Sequence, residues 1–285
     1  MPLTVLDRRE GFRKALDAER AAGRTVGLVP TMGYLHDGHL SLMRRAAAEC
    51  DVVAATIFVN PLQFGENEDL AAYPRDPEGD REKADEAGVA YVFAPANREM
   101  FPQAPLTAVT VGGLSGELEG RSRPTHFQGV ATVVTKLFAL AGACRAYFGE
   151  KDYQQLAVIR RLTADLSLPI EVIGCPTVRD VDGLALSSRN AYLTREQRAV
   201  APVLYRALHQ GRAAIEDDHE RDPAPVETMM RDLIAAEKRF LLDYAVVRDG
   251  DDLSPLTTIT GEVRLLVAAR LGRARLIDNL GAKAT

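Results

Sequence analysis

The chain has no tryptophan, three cysteines and five histidines in 285 residues. Cys50, Cys144 and Cys175 are odd in number and far apart, so they fit neither a disulfide framework nor a zinc-ligand spacing. Such usage suits a reducing cytoplasm. Basic residues are not in excess: 35 Lys and Arg stand against 40 Asp and Glu, a net charge of −5. No overall field draws nucleic acid or an acidic membrane surface. Long apolar runs are also missing. The longest, such as Val52 to Ala55, fall far short of the ~20 residues that a bilayer crossing needs. The first residues lack a charged-then-apolar leader pattern. Repeats, heptads and low-complexity tails are absent. What is there is 46% hydrophobic and 26% charged, ordinary for a globular protein of one or two domains.

Along the first 175 residues, apolar runs alternate with helical periodicity. A helix is expected over Glu10 to Ala22, a strand over Thr25 to Val29, and a helix ending near Cys50. The run Val52 to Val59 reads as a strand buried on both faces. A charged helix follows over Glu78 to Ala87, then a strand over Val89 to Ala94. Residues 95 to 129 are irregular, with a small strand expected at Thr107 to Val111. Such an insertion is commonly a surface loop, and its length favours a lid or a dimer contact. An apolar helix spans Gly129 to Ala141. Strands at Arg145 to Phe148 and Ile170 to Ile173 enclose a helix reaching Leu166. This alternation predicts an α/β fold, a Rossmann-like doubly wound parallel sheet with right-handed crossovers. After Pro176 the texture changes. A hairpin is expected over Val178 to Leu186, long helices over Arg195 to Ala214 and Pro225 to Arg239, and closing strands at Leu242 to Val247, Arg264 to Ala269 and Arg275 to Ile277. Residues 176–285 therefore read as a smaller C-terminal α+β lid domain beside a first domain of residues 1–175.

The most informative stretch runs from Val29 to Leu40. Its Pro30-Thr31-Met32-Gly33 leaves a strand, and His36-Asp37-Gly38-His39 opens a helix. Gly33 lets the backbone turn closely, and Gly38 leaves room for something to press against the helix start. The free N–H groups of a first helical turn favour an anion. His36 and His39, three apart, share a face of that turn and add donors that respond near neutral pH. A lone histidine is usually a surface or satisfied core residue. Two of them three apart could be half a metal site, but no third ligand stands at a usual spacing. His-x-Gly-His between strand and helix resembles the signature of the nucleotidyltransferase superfamily, whose members bind ATP phosphates there.

Other strand-end and helix-start loops carry complementary groups, and such loops gather at one crevice in an open α/β sheet. Lys151 offers a point charge for phosphate, and Arg189 offers a planar fork. Ser187 and Ser188 add hydroxyls, Asp152 suits ribose hydroxyls, and Gln63 and Gln155 suit a small polar substrate. Singly, each has an ordinary alternative: solvated charge, turn residue or helix cap.

Together these stretches resemble the pantothenate synthetase (pantoate–β-alanine ligase) family. The resemblance rests on Pro30-Thr31-Met32-Gly33, His36-x-Gly-His39, Phe58-Val59-Asn60-Pro61-x-Gln63-Phe64, Arg123-Pro124-Thr125-His126-Phe127, Phe148-Gly149-Glu150-Lys151-Asp152 and Ser187-Ser188-Arg189-Asn190. All fall in family order between residues 30 and 190. One departure is Leu186, where the family commonly has Met; both are apolar and of similar volume.

The resemblance implies an ATP-dependent ligase joining pantoate to β-alanine through a pantoyl adenylate. It implies an ATP site of Met32, Gly33, His36, Gly38, His39, Gly149, Lys151, Asp152, Ser187, Ser188 and Arg189, with Val178 and Leu186 flanking the adenine. His39 is the implied acid catalyst, with His36, Lys151 and Arg189 spreading charge. Pro30, Met32, Asn60, Gln63, Arg123 and Gln155 are the implied substrate contacts, with His126 at the rim. Mg²⁺ is expected on phosphate oxygens and waters rather than on a protein ligand cluster. A homodimer of the large domains is implied, with no nucleic acid or membrane partner. Two rival readings are a nucleotidyltransferase acting on a phosphorylated small molecule and a non-catalytic nucleotide sensor. The first should want extra basic residues for a second phosphate, and the second would not need the glutamine pair.

Overall fold

The structure, a computed structural model, describes residues 2–65, 70 and 73–285. The chain falls into two compact units. The first comprises Met1–Glu150 and Gln154–Pro176, and the second Lys151–Tyr153 and Thr177–Thr285.

The first unit is built on strands β1 (Thr4–Leu6), β2 (Val26–Thr31), β3 (Val52–Ile57), β4 (Tyr91–Phe93), β5 (Cys144–Gly149) and β6 (Ile170–Cys175). They lie in the order β1-β4-β3-β2-β5-β6, and every pairing is parallel. Around them run α1 (Arg9–Ala21), α2 (Asp37–Glu49), α3 (Pro77–Glu86), α4 (Asn97–Met100), α5 (Glu119–Ser122), α6 (His126–Ala141) and α7 (Tyr153–Asp165). Alternate strand residues serve opposite faces of the sheet. Val29, Val53, Ala55 and Val92 pack with Leu40, Met43 and Ala46 of α2 and Ala84 of α3. Their strand neighbours face the other way: Phe93 stacks on Phe12 of α1 at 4.5 Å, and Phe148 meets Phe138 of α6 edge-on. With both faces covered, the central strands β2 and β3 are buried almost throughout, which is why they read as unbroken runs. The winding direction reverses between β2 and β5, and loops at such a switch point commonly hold ligands.

This unit differs from the sequence expectation in several places: α4 and α5 lie in the stretch read as irregular, and α6 starts at His126 instead of Gly129. The edge strand β1 is an addition to the expectation; this strand is three residues long and its Thr4 and Val5 are exposed, so it carries no apolar run. Thr107 to Val111 joins no sheet. It runs instead along α6, where the Val109 N–H donates to Thr132 Oγ1 at 2.9 Å and Gln128 donates to Thr110 Oγ1 at 2.9 Å. Side-chain hydrogen bonds there replace a ladder.

The second unit contains α8 (Arg195–Val200), α9 (Val203–Glu216), α10 (Pro223–Ala235), β7 (Phe240–Asp249), β8 (Gly261–Leu271) and β9 (Ala274–Ala284). The three strands form an antiparallel sheet in the order β7-β8-β9. Leu204, Leu208 and Ile215 of α9 and Met230 and Ile234 of α10 pack on Leu265 and Val267 of β8. The single long helix expected over Arg195 to Ala214 is two helices, because Pro202 supplies no N–H to a helical ladder. The last helix starts two residues earlier than expected, where Asp222 caps the Ala224 N–H at 2.9 Å, and stops at Ala235. The closing strands run on past the expected apolar stretches through polar residues that find partners: Asp278 pairs with Arg179 of the hairpin, and Asn279 with Arg264 of β8. Among the described residues no helix is long and apolar enough to cross a membrane.

Candidate active site

β2 delivers the histidine loop. It ends at Thr31, with Pro30 and Met32 half-buried, and the chain then bends through Gly33 and Tyr34. Both residues have positive φ, 82° and 53°. Tyr34 is strained there, since only small residues enter this region freely. The bend is held from another element. The buried Asp80 of α3 accepts the Tyr34 N–H at 2.8 Å and the Leu35 N–H at 2.6 Å. Lys83, one turn on, donates to the Leu35 carbonyl at 2.9 Å. Successive N–H groups of a left-handed bend form a concavity for an anion, and here the chain fills it with its own carboxylate. Sequence reasoning missed Asp80. Its one signal was a carboxylate sharing a helical face with Ala84 and Ala87.

The histidines cap α2 reciprocally. His36 is the cap residue, and its Nδ1 accepts the Gly38 N–H at 3.2 Å. His39 Nδ1 faces the His36 N–H at 3.4 Å. The rings lie 4.1 Å apart. With Nδ1 accepting, the proton of each neutral ring sits on Nε2, so both rings present a donating edge. Gly38 is also closely packed from within the chain. A Cβ there would come within 2.9 Å of His36 Cε1, so glycine makes room for the chain's own imidazole.

A second group forms around Gln63. This residue is buried in the 3₁₀ turn Pro61–Gln63 that follows β3. Its Nε2 points at Met32 Sδ, 2.9 Å away, which ties the turn to the histidine loop. Asn60 caps the turn through the Leu62 N–H, and its Nδ2 reaches Gln63 Oε1 at 3.2 Å and the Gly129 carbonyl at 3.1 Å. Both amide hydrogens of Asn60 are therefore used inside the protein, so it orients Gln63. His126 Nδ1 donates to the Gln63 carbonyl at 3.0 Å. Arg123 lies 3.2 Å from His126 Nε2 and 3.4 Å from the same carbonyl. The donating Arg123 leaves Nε2 as the acceptor, which is the neutral tautomer of His126. Gln155 is half-buried on α7. Its neighbour Gln154, which sequence reasoning passed over, is buried and pins another segment: it donates to the carbonyls of Leu114 and Glu117 and accepts from the Glu119 N–H.

Gly149 ends β5 in the first unit, and Lys151 and Asp152 belong to the second. Lys151 Nζ stands 3.6 Å from Asp152 Oδ1. In the second unit Val178 and Leu186 are partners across the neck of a tight hairpin, the Leu186 N–H donating to the Val178 carbonyl at 2.9 Å. Arg198 of α8 grips the hairpin tip through Asp180 at 2.8 Å and Asp182 at 2.6 Å. Ser187 then caps the 3₁₀ turn Ser188–Tyr192, accepting the Arg189 N–H at 3.3 Å. Ser187, Ser188 and Arg189 are all half-buried. Among the described residues no three His, Cys, Asp or Glu side chains are grouped to hold a metal ion. Burial pushes the Cys144 thiol up to about 12 and the Cys175 thiol upward, so both stay protonated.

Comparison with known proteins decides the family. A family model described as pantoate-beta-alanine ligase matches residues 4–281. The chain belongs to the pantoate–β-alanine ligase family. The ligase condenses pantoate with β-alanine to pantothenate in an ATP-dependent reaction. It is 55% identical to a pantothenate synthetase of Moorella thermoacetica over 278 residues, 98% of each chain. It is similar in structure to a pantothenate synthetase from Thermus thermophilus, with a TM-score of 0.92 and 49% identity over 98% of this chain and 99% of that one. A pantoate-beta-alanine ligase from Francisella tularensis, solved in complex with beta-gamma ATP and β-alanine, aligns with a TM-score of 0.80 and 32% identity over 98% of this chain and 97% of that one. These relatives agree with the ligase in its doubly wound sheet and smaller antiparallel unit.

Proposed function

We propose that the histidine loop and the Gln63 turn are the catalytic and acid-binding parts of this ligase, and that Lys151, Ser187, Ser188 and Arg189 serve the ATP phosphates. The observation that carries the reading is the reciprocal cap of His36 and His39. It aims two imidazole donors from the start of a helix that follows a strand at the sheet's switch point. Adenylation needs alignment and charge stabilisation more than a protein nucleophile. Pantoate's carboxylate attacks the α-phosphorus, the bond to the β-phosphate oxygen breaks, and pyrophosphate leaves. His39 and His36 donate to the charge that builds on the phosphates, and Lys151 and Arg189 spread it. The β-alanine amine then attacks the acyl carbon of pantoyl adenylate, AMP leaves with the electrons of the acyl–oxygen bond, and the amine's surplus proton passes to solvent.

Gln63 binds pantoate through its amide, aided by Pro30, Met32 and Gln155. Asn60, Arg123 and His126 act by fixing Gln63. Val178 and Leu186 flank the adenine, and Gly149 and Asp152 hold the ribose and phosphate region. The local donors are imidazoles, a lysine and an arginine, not a carboxylate cluster. Among the described residues no grouped carboxylates would hold a Mg²⁺ ion here; one brought in on the ATP phosphates would neutralise their charge beside Lys151 and Arg189. Residues 1–175 form the domain that binds ATP and pantoate, and residues 176–285 act as a lid. The ligase works as a cytoplasmic homodimer. The Francisella relative's beta-gamma ATP and β-alanine support the substrate assignment.

The test is pantoate-dependent ATP–pyrophosphate exchange with Mg²⁺ present and β-alanine absent. Exchange that needs pantoate is expected. Label transfer that occurs only when β-alanine is added would replace the free adenylate with a concerted route.

A further inference from the structure

Two polar residues stand side by side, buried, in strand β9 of the second unit: Asp278 and Asn279, 4% and 3% exposed. Buried polar side chains in a strand need partners, and leaving one unmet is costly. Asp278 receives both guanidinium nitrogens of Arg179, at 2.6 and 2.9 Å, and the Asn279 N–H at 2.7 Å. This pair fixes β9 to the hairpin that carries Val178 and Leu186. Asn279 reaches elsewhere. Its Nδ2 donates to the backbone carbonyl of Lys151 at 2.8 Å, and its Oδ1 accepts from Arg264 Nε at 2.7 Å. Arg264 lies over the ring of Tyr153 at 3.8 Å, and the Tyr153 hydroxyl donates to the Gly250 carbonyl at 2.6 Å. The three-residue segment Lys151–Tyr153 is thus held at both ends by the small antiparallel sheet, 128 positions away in sequence at Asn279.

We propose that Asn279 is a positioning residue for adenylation: it sets the place of Lys151 by holding that residue's carbonyl, and Arg264 and Tyr153 stiffen the same segment. The inference rests on the assignment of Lys151 to the ATP phosphates. A cation that stabilises a transition state must be placed before the reaction begins, and a misplacement of about 1 Å far from the chemistry can cost about a hundredfold. Asn279 acts through Lys151, whose carbonyl it holds.

The experiment compares the parent enzyme, Lys151→Ala, Asn279→Asp and the double variant in ATP–pyrophosphate exchange at saturating and limiting ATP and pantoate. Asn279→Asp keeps an acceptor for Arg264 and removes the donor to the Lys151 carbonyl. Its exchange kcat should fall about tenfold, with the pantoate KM held within about twofold. In the Lys151→Ala background the same change should cost less than about twofold, since residues acting through one group are not additive. An equal loss in both backgrounds, or a parental kcat in Asn279→Asp, overturns the inference and leaves the Lys151 assignment standing. A fully active Lys151→Ala overturns that assignment and the inference with it. If Asn279→Asp does not fold, Tyr153→Phe replaces it. This variant removes one hydroxyl from the same segment and should lower kcat about threefold in the parent and not in the Lys151→Ala background; a parental rate there counts against the inference.

Discussion

His39 has one structural contact in its ring, Nδ1 facing the His36 N–H, and the proposed function gives it a second duty as proton donor. Replacing it by alanine should cut the exchange rate by on the order of a hundredfold, the usual loss for a general acid or transition-state donor. The cap it gives up is long, so the melting temperature should move little. Rate and thermal melt, measured on the same sample, separate the duties. Gln63 is different, being buried and held at its amide and its backbone carbonyl. Its amide has Met32 on one side and Asn60 on the other. Gln63→Ala should raise the pantoate KM at least about fivefold and the ATP KM by less than about twofold, because lost ground-state binding appears in KM. Steady-state kinetics with each substrate varied in turn checks this. Local spacing made these residues legible. His-x-Gly-His and Asn-Pro-x-Gln are short motifs whose meaning depends on neighbours a few residues away.

At the scale of elements, α3 shows what spacing does not reveal. In sequence it is a charged surface helix, yet Asp80 and Lys83 reach a loop more than forty residues earlier. Nothing within the helix names that partner. The same is true of Asn279, whose partner is Lys151, and of the Thr107 to Val111 stretch, which runs along a helix instead of joining a sheet. By contrast, β2 and β3 were legible because burial on both faces forces a continuous apolar run, while β5 and β6 showed only the short runs Ala146 to Phe148 and Val172 to Ile173. The break at Pro202 was also in the sequence, and only the periodicity around it favoured one long helix. Asp80→Asn keeps the shape and removes the charge that receives two N–H groups. One N–H would then face an amide donor, at about 1–3 kcal/mol. The expected outcome is a lower melting temperature and an exchange rate reduced about tenfold or more, since the histidines hang from the bend that Asp80 holds. Calorimetry and the exchange assay measure the two effects.

For the molecule as a whole, acid should reveal a tie that neutral pH conceals. Helix α1 has no side-chain cap of its own, and Glu99 of α4 takes its place. Glu99 accepts the Arg9 N–H at 3.0 Å and pairs with the Arg8 guanidinium at 2.8 Å. These donors lower its carboxyl from 4.5 to about 2. A depressed folded-state value contributes stability that is complete above the ordinary carboxylate range and is lost as pH falls through about 2. Glu99→Gln should therefore melt below the parent at pH 7. The gap should narrow from about pH 4.5 downward and close near pH 2. Thermal melts across that range give the curve.

The chain passes into the second unit at Lys151, returns at Gln154, and crosses again after Pro176. No single cut therefore separates the two units. A chimera that exchanged everything after residue 176 with a relative would set the resident Lys151–Tyr153 segment against a foreign β9. To transplant the small unit intact, the donor's three-residue loop must travel with its distant C-terminal sheet, as two pieces of one graft.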